Sequence, residues 1–263
     1  MATVQDILAF VETLAPRNMK MDWDNVGLLC GSRATEVTKV LVALDPFEHV
    51  CKEAADMGAQ LIVTHHPMIF QALKAVTDET SIGRGIMLLC RHGISAVNAH
   101  TNLDCAPGGV NDTLAAALGL EEIAVVNPSG VDADGREWGL LRSGYTDETT
   151  LPEFLAHVKQ ALGCEGLRYV DGGKPVRKVA VGGGACGEFF ACAAAQGCDT
   201  FVTSDIKYNQ FLDAKALGLN LIDAGHFPTE DPVCEAMIRY LSERFPQLTI
   251  QKSISHKEII QYC

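Results

Sequence analysis

The chain has 263 residues, of which 48% are hydrophobic and 21% are charged, a composition typical of a globular protein. Its 21 Lys and Arg against 33 Asp and Glu give a formal charge of −12, which opposes nonspecific attraction to nucleic-acid phosphates, and no basic surface is evident. The sequence lacks both a signal-peptide pattern and the roughly 18 consecutive apolar residues of a membrane span, so we expect a cytoplasmic protein without a membrane partner.

The first predicted element is an amphipathic helix that covers a sheet. Thr3 and Asp6 have the spacing of a capping pair, which satisfies amide groups at a helix start. The apolar residues after them recur at helical spacing. These residues are Ile7, Leu8, Val11 and Leu14.

The ten cysteines are scattered along the chain between Cys30 and Cys263 and contain no C-x-x-C pair. Such a distribution is not typical of a zinc site or a disulfide framework. We therefore expect reduced thiols that fill the core.

Three segments of the first half resemble three segments of the second half in the same order. The first two pairs are offset by 139 residues and the third by 125. Each segment contains an apolar run that is typical of a buried strand, so the pattern indicates a duplicated half-molecule. The pairs are residues 37–40 with 176–179, residues 58–66 with 197–205, and residues 93–99 with 218–224.

Helical patterns at residues 46–57, 83–91 and 209–217 alternate with these strands. Strands that alternate with helices form mainly parallel sheets covered by the helices. Thr150 and Glu153 form a further capping box, which predicts a helix from 151 to 162.

We therefore predict an α/β protein of two similar α/β lobes with mainly parallel sheets. Residues 1–126 form the first lobe and residues 127–263 the second, because the turn-rich residues 127–130 interrupt the pattern. The last helix and strand are assigned to the second lobe, with the alternative that they pack back on the first.

Histidines and carboxylates follow three of the predicted strands. Ligands of open parallel sheets bind at the carboxyl ends of the strands, so these side chains should converge on one edge. Imidazole and carboxylate together suit zinc, manganese, iron or nickel, and a carboxylate can bridge two ions about 3.5–4 Å apart. The residues are His65 and His66 after 61–64, His100 and Asp104 after 96–99, and His226 and Glu230 after 221–224.

Two prolines shape these strand ends. Pro67 prevents the strand before His65 from continuing, and Pro228 predicts that His226 and Glu230 lie in a loop before a helix that ends at Arg244. The remaining histidines lie in helical or terminal stretches and are interpreted as surface or capping residues. They are His49, His92, His157 and His256.

Four motifs together resemble the GTP cyclohydrolase 1 type 2 homologue family, dinuclear-metal proteins first described through a protein that interacts with a yeast transcription factor. The resemblance spans nearly the whole chain. It implies a fold of two similar lobes with the metal site in the cleft between them, assembled as a ring-shaped homohexamer. The motifs are Trp-Asp-Asn-Val-Gly-Leu at 23–28, Thr-His-His-Pro at 64–67, His-Thr-Asn-Leu-Asp at 100–104, and Gly225-His226 with Glu230.

The resemblance also implies a distribution of ligands between two divalent ions per chain. His66 and Asp104 would hold one ion, His65 and His226 would contribute to the other, and Glu230 would bridge them. All five positions carry the expected residue types.

A pair of bridged ions activates water and polarises its target, so the working function is hydrolysis of a small-molecule substrate. His100 is either a proton shuttle or a residue that orients a ligand. The family name suggests a nucleotide or purine-ring amide bond as the target. The alternative is a metal-binding, ring-shaped scaffold that binds a protein partner without catalysis, or a protein that stores metal.

Two further features could contact a substrate. Residues 182–187 fit the G-x-G-x-x-G pattern after a strand, so Gly183 and Gly184 either bind phosphate through their amides or form a tight turn. Asp205 duplicates His66 in the second half, and it either binds substrate or orders a metal ligand.

Overall fold

A computed structural model describes residues 1–263 and shows the alternation of strands and helices that the sequence predicts. The strands are β1 (Ala2–Thr3), β2 (Gly27–Cys30), β3 (Glu36–Val37), β4 (Lys39–Ala43), β5 (Leu61–Thr64), β6 (Ser95–Asn98), β7 (Glu121–Val126), β8 (Gly130–Val131), β9 (Glu137–Trp138), β10 (Leu141–Thr149), β11 (Arg168–Val170), β12 (Val176–Val181), β13 (Thr200–Thr203), β14 (Asn220–Asp223) and β15 (Thr249–Lys252).

The helices are α1 (Val4–Leu14), α2 (Glu48–Asp56), α3 (Ser81–His92), α4 (Thr101–Cys105), α5 (Val110–Ala117), α6 (Leu151–Leu162), α7 (Phe190–Ala195), α8 (Tyr208–Ala216), α9 (His226–Glu230) and α10 (Pro232–Arg244). Both predicted capping boxes are confirmed, at Thr3 with Asp6 and at Thr150 with Glu153. None of the helices combines the length and the apolar composition required to cross a bilayer.

The chain divides into two units. The first contains Met1–Leu103 and Cys234–Lys257, and the second contains Asp104–Val233 and Glu258–Cys263. The sequence placed the boundary at residue 127, whereas this division lies before Asp104, because β7 pairs antiparallel with β10 and joins the second sheet. Most of α10 and all of β15 belong to the first unit, where β15 pairs parallel with β4.

The first unit contains a five-stranded sheet in the order β15-β4-β5-β6-β2. Four neighbouring strands are parallel, and β2 closes one edge in antiparallel orientation. Val50 and Cys51 of α2 and Leu89 of α3 pack against Ile62 of β5 in one buried cluster. This packing fixes the strands whose carboxyl ends carry His65 and His100.

The second unit contains a six-stranded sheet in the order β11-β14-β13-β12-β10-β7. Its three central strands β12, β13 and β14 are parallel, and the flanking strands are antiparallel. Phe154 and Val158 of α6 pack on Val179 and Val181 of β12, and Phe201 of β13 belongs to a separate buried cluster. The expected α/β class is confirmed.

The central strands of the two sheets share the same register, which supports the duplication that the sequence indicates. In the first unit, Gln60 Oε1 accepts hydrogen bonds from two consecutive amides, those of Thr38 and Lys39 at the start of β4. In the second unit, Asp199 Oδ2 accepts from the amides of Arg177 and Lys178 near the start of β12. Equivalent residues therefore pair in both units. The matching Cα partners are Val40–Leu61 with Val179–Thr200, and Thr64–Asn98 with Thr203–Asp223.

All ten cysteines are unbridged, and six of them are buried, as expected for thiols that fill the core, whereas Cys30, Cys90, Cys192 and Cys263 lie partly or fully exposed. Burial raises the pKa of Cys51 and of Cys105 to about 12, which keeps these thiols protonated at neutral pH. They act as apolar core side chains.

Candidate metal centre

Three imidazole rings meet at the carboxyl edge of the first sheet. His65 and His66 follow β5, and His100 lies between β6 and α4. The ring centroids are 4.9 Å apart for His65 and His66, 5.1 Å for His65 and His100, and 5.5 Å for His66 and His100. One ring nitrogen of each lies within 4.8 Å of the others, so these residues could hold a metal ion.

Hydrogen bonds orient each of these rings through its Nδ1 atom. Nδ1 lies 3.0 Å from the Ala99 carbonyl oxygen in His65, 2.7 Å from an Asp45 oxygen in His66, and 2.8 Å from an Asp24 oxygen in His100. A carbonyl or a carboxylate only accepts, so Nδ1 carries the proton in each ring. In the neutral ring the lone pair is therefore on Nε2, the tautomer that binds a metal through Nε2.

The carboxylates behind the rings are held in the charged form. Burial alone would raise the pKa of Asp24, but hydrogen bonds from His100 and Thr101 outweigh burial and hold the pKa far below its usual value. At Asp45, burial opposes hydrogen bonds from His256 and His66, and the pKa is again strongly lowered. Both carboxylates therefore remain acceptors for imidazole N–H groups over the physiological pH range.

A second group of ligand-type side chains lies in the second unit. Helix α9 places His226 and Glu230 one turn apart, with His226 Nε2 3.1 Å from Glu230 Oε2. His226 Nδ1 lies 2.6 Å from Asp205 Oδ2, so this imidazole is oriented in the same way as the three in the first unit. The predicted loop at these residues is wrong, because a short helix forms from His226 to Glu230.

Asp104 and Glu230 bring two carboxylates together. One carboxylate oxygen of Asp104 lies within 4.8 Å of one of Glu230, and the two residues are only 7% and 4% exposed. Buried carboxylates at this distance repel each other, and a cation between them offsets that repulsion. The donor set therefore has the chemistry that a divalent ion requires.

The amides of the glycine loop at residues 182–187 bind other parts of the second unit. Gly182 N donates to the Val202 carbonyl at 3.0 Å, and Gly183 N donates to Asn111 Oδ1 at 2.7 Å. Gly184 N donates to Thr229 Oγ1 at 3.1 Å. These bonds favour the interpretation of the loop as a tight turn over that of a phosphate-binding loop.

The same loop leaves room for Glu230. A Cβ atom at Gly184 would overlap Glu230 Oε1 and would lie 3.0 Å from Glu230 Cδ and 3.1 Å from His226 Nε2. Glycine is therefore required at Gly184 for the carboxylate to reach its position.

The family model described as Duf34/NIF3 (NGG1p interacting factor 3) matches residues 2–259. The chain belongs to the DUF34/NIF3 family. A relative named GTP cyclohydrolase 1 type 2 homolog from Clostridium perfringens is 39% identical over 242 residues, which cover 92% of each chain. A relative of the same name from Streptomyces coelicolor is 36% identical over 248 residues, 92% of this chain and 87% of the relative.

Solved NIF3 structures share the whole fold. The crystal structure of a Bacillus cereus protein related to NIF3 is 28% identical, covers 100% of this chain and 99% of its own, and has a TM-score of 0.94. A hypothetical protein of Staphylococcus aureus is 31% identical, covers 99% of both chains and has a TM-score of 0.92. The resemblance inferred from the motifs is therefore confirmed.

Within this NIF3-family chain, the ligand-type residues named by the sequence all lie at strand ends or on the short helices that follow them. His65, His66 and His100 meet in the first unit. Asp104 and Glu230 lie close together in the second unit, and His226 contacts Glu230 there.

Sequence reasoning missed the carboxylates that orient His66 and His100, whereas it does predict that Asp205, which contacts His226, binds substrate or orders a metal ligand. Asp45 accepts from His66 and also lies 2.9 Å from His256 Nε2, so His256 is a buried partner of this pair and its interpretation as a surface residue is wrong. Asp45 lies just after β4, so the rule that ligands collect at strand ends could have found it. Asp24 lies within the first family motif, next to Trp23.

Proposed function

We propose that this NIF3-family chain is a hydrolase that uses two divalent metal ions, with His65, His66, Asp104, His226 and Glu230 as the ligands. One observation carries the proposal: each of the three histidines directs Nδ1 to an oxygen acceptor, which leaves Nε2 as the ligand atom. Zinc, manganese, iron and nickel all suit this donor set.

Divalent ions supply the chemistry of hydrolysis by lowering the pKa of bound water and polarising the bond to be cleaved. The protein contributes charge and orientation. Asp104 and Glu230 bring two buried negative charges to the site, and Asp45 and Asp205 fix the rings of His66 and His226.

His100 is the residue that we propose for proton transfer. Its Nδ1 is bonded to Asp24, so Nε2 is the atom that accepts and returns a proton, and the carboxylate stabilises the charged ring. The side chain is only 14% exposed, which places it beside the ligand rings with limited contact to water. A role as a further metal ligand fits the same position and would appear as lost metal in a His100→Ala variant.

The proposed substrate class is supported by the name of the relatives, GTP cyclohydrolase 1 type 2 homolog. We propose a small molecule with a hydrolysable ring C–N or amide bond, such as a purine nucleotide. We further propose a homohexamer as the working assembly, because the motif resemblance implies a ring of subunits.

Metal content per chain tests the ligand set. Elemental analysis of the wild type should find about two ions, whereas His66→Ala and Glu230→Ala should each retain about one ion or none, because each variant removes a ligand. The matched controls are His92→Ala and Glu243→Ala, which change exposed residues of α3 and α10 and should keep the wild-type content. The same samples enter a hydrolase screen with nucleotides, phosphodiesters and cyclic amides.

Turnover that depends on added metal and is lost in both ligand variants would establish the hydrolase. Two ions without turnover of any substrate would contradict catalysis and favour the metal-binding scaffold that recruits a protein partner. Wild-type protein that binds no divalent ion would contradict the whole proposal.

Asp205 provides a finer test, because it contacts His226 and is not among the five proposed ligands. Asp205→Asn keeps an oxygen that can accept from Nδ1, so we expect wild-type metal content with altered turnover. Asp205→Ala removes the acceptor and should weaken metal affinity by about 10- to 100-fold, as measured by competition with a chelator. Loss of metal from the Asn variant would show that Asp205 is itself a ligand.

A further inference from the structure

Two exposed aromatic rings stand next to the imidazole group of the first unit. Trp23, Phe70 and His100 meet pairwise edge to face, and we name these three residues the aromatic corner. The centroid distances are 5.7 Å for Trp23 and Phe70, 6.2 Å for Trp23 and His100, and 6.1 Å for Phe70 and His100, with interplanar angles of 71°, 69° and 83°. The rings thus form three walls at steep angles to one another.

The neighbours of the two exposed rings are anchored. Asp24, whose side chain is fully buried, lies 2.8 Å from His100 Nδ1 and accepts from the Thr101 amide at 3.0 Å. Asn25 Nδ2 donates to the carbonyl oxygen of Ile69 at 2.6 Å, which ties the segment of Trp23 to that of Phe70. The backbone segments that carry both rings are therefore held in place by the fold.

These anchored rings nevertheless face water. Trp23 is 62% exposed and Phe70 is 49% exposed, so much of their apolar surface is available for contact. Fully burying an aromatic ring covers about 150–250 Å², so two half-exposed rings offer far less than the roughly 800 Å² per partner of a stable protein interface. A small flat ligand matches this area better than a second protein does.

We infer that Trp23 and Phe70 bind a planar heteroaromatic ring of the substrate. The exposed ring faces supply stacking and edge contacts, which every flat heterocycle can make. His100, the third wall, contacts the rings of His65 and His66, so a group on the aromatic corner lies beside the proposed ligands. The binding of a planar ring does not depend on the proposed function. The further statement that this ring belongs to the hydrolysed molecule does rest on it.

Calorimetric titration with three probes measures the contribution of the ring. AMP and GMP both carry a purine base on ribose 5-phosphate, and ribose 5-phosphate itself lacks the base. Wild-type protein should bind both nucleotides at least about tenfold more tightly than ribose 5-phosphate. Trp23→Ala and Phe70→Ala should each weaken nucleotide binding by about 5- to 100-fold and leave ribose 5-phosphate binding and metal content unchanged.

Tyr169→Ala is the matched control, because Tyr169 is a 53% exposed aromatic residue on β11, outside the aromatic corner. It should bind all three probes as the wild type does. Trp23→Phe keeps a flat ring and should retain most of the preference for nucleotides.

Equal binding of nucleotides and ribose 5-phosphate by the wild type would overturn the inference. So would unchanged nucleotide binding in both alanine variants, and a lower native mass of those variants would then assign the rings to a contact between copies of the chain. The result is separable from the proposed function. Protein that binds no metal and turns over no substrate, but still prefers nucleotides, would support ring binding and contradict the proposed function. A metal-dependent hydrolase without a preference for nucleotides would support the proposed function and contradict ring binding.

Discussion

Replacing Arg142 by methionine should lower the free energy of unfolding by about 3–5 kcal/mol, the cost of breaking a buried ion pair by removing one partner. The Arg142 side chain is 2% exposed. Its Nε and Nη2 atoms donate to the two carboxylate oxygens of Asp112 at 2.8 and 3.0 Å. Nη1 donates to the Gly139 carbonyl at 2.7 Å, and Nη2 also donates to the carbonyls of Cys105 and Ala106.

Methionine fills similar space but donates no hydrogen bond, so the buried carbonyls of Cys105, Ala106 and Gly139 and the partly exposed Asp112 carboxylate all lose their donor. Cys105 and Ala106 directly follow Asp104, so metal affinity should fall together with stability. Urea titration measures the first effect and chelator competition the second.

Arg136→Met is the control for the loss of an arginine. Arg136 also contacts a carboxylate, Asp132 at 2.9 Å, but its side chain is 59% exposed, so its loss should cost less than about 1 kcal/mol. Equal losses in the two variants would mean that the buried network around Arg142 contributes no more than a surface ion pair.

Much of the fold could be predicted because the signals are local. The capping boxes at Thr3 and Thr150 and the apolar run at residues 61–64 depend on neighbours in sequence, and each is found where the pattern predicts it. The internal repeat also predicted that the central strands of both sheets share one register. Thr64 and Thr203, which are equivalent in the repeat, indeed pair with the equivalent residues Asn98 and Asp223.

The boundary between the units was harder to predict because it depends on pairing between distant strands. The turn at residues 127–130 resembles a linker and leads into the small β8-β9 sheet, yet the strands on either side of this segment belong to one sheet, in which Val126 of β7 pairs with Leu141 of β10. A turn signal reports a change of direction and carries no information about which sheet the next strand joins.

The positions of the candidate ligands at strand ends could be predicted, whereas the pairing of His66 and His100 with the carboxylates that orient them could not. A histidine after a strand is visible in the sequence, but the partner of His66 is Asp45 and the partner of His100 is Asp24, at separations of 21 and 76 residues. One missed signal was local: His226 and Glu230 have the i, i+4 spacing of one helix face, which the proline at 228 obscured. Proline is tolerated in the first turn of a helix, because a backbone N–H at that position would have no acceptor within the helix.

Gly184→Ala should abolish tight binding of metal by a protein that still folds. The added Cβ overlaps Glu230 Oε1, so the carboxylate must leave the position in which it lies beside His226 and Asp104. Removing a residue that merely orients a ligand costs about 10- to 100-fold in metal affinity, and displacement of the ligand itself should cost at least as much. Chelator competition on the full chain measures this loss.

Gly184 also has a φ of +64°, a left-handed backbone conformation that costs a residue with a Cβ roughly 1–2 kcal/mol. Gly197→Ala isolates this backbone cost, because Gly197 has a φ of +75° and its Cβ would meet no atom within 4 Å. Gly184→Ala should therefore lose at least as much stability in urea as Gly197→Ala, because it adds the overlap with Glu230 to the backbone cost, and only Gly184→Ala should lose metal. If Gly184→Ala keeps wild-type affinity, the carboxylate of Glu230 can move without loss of the ions, and Glu230 cannot be the ligand that bridges them.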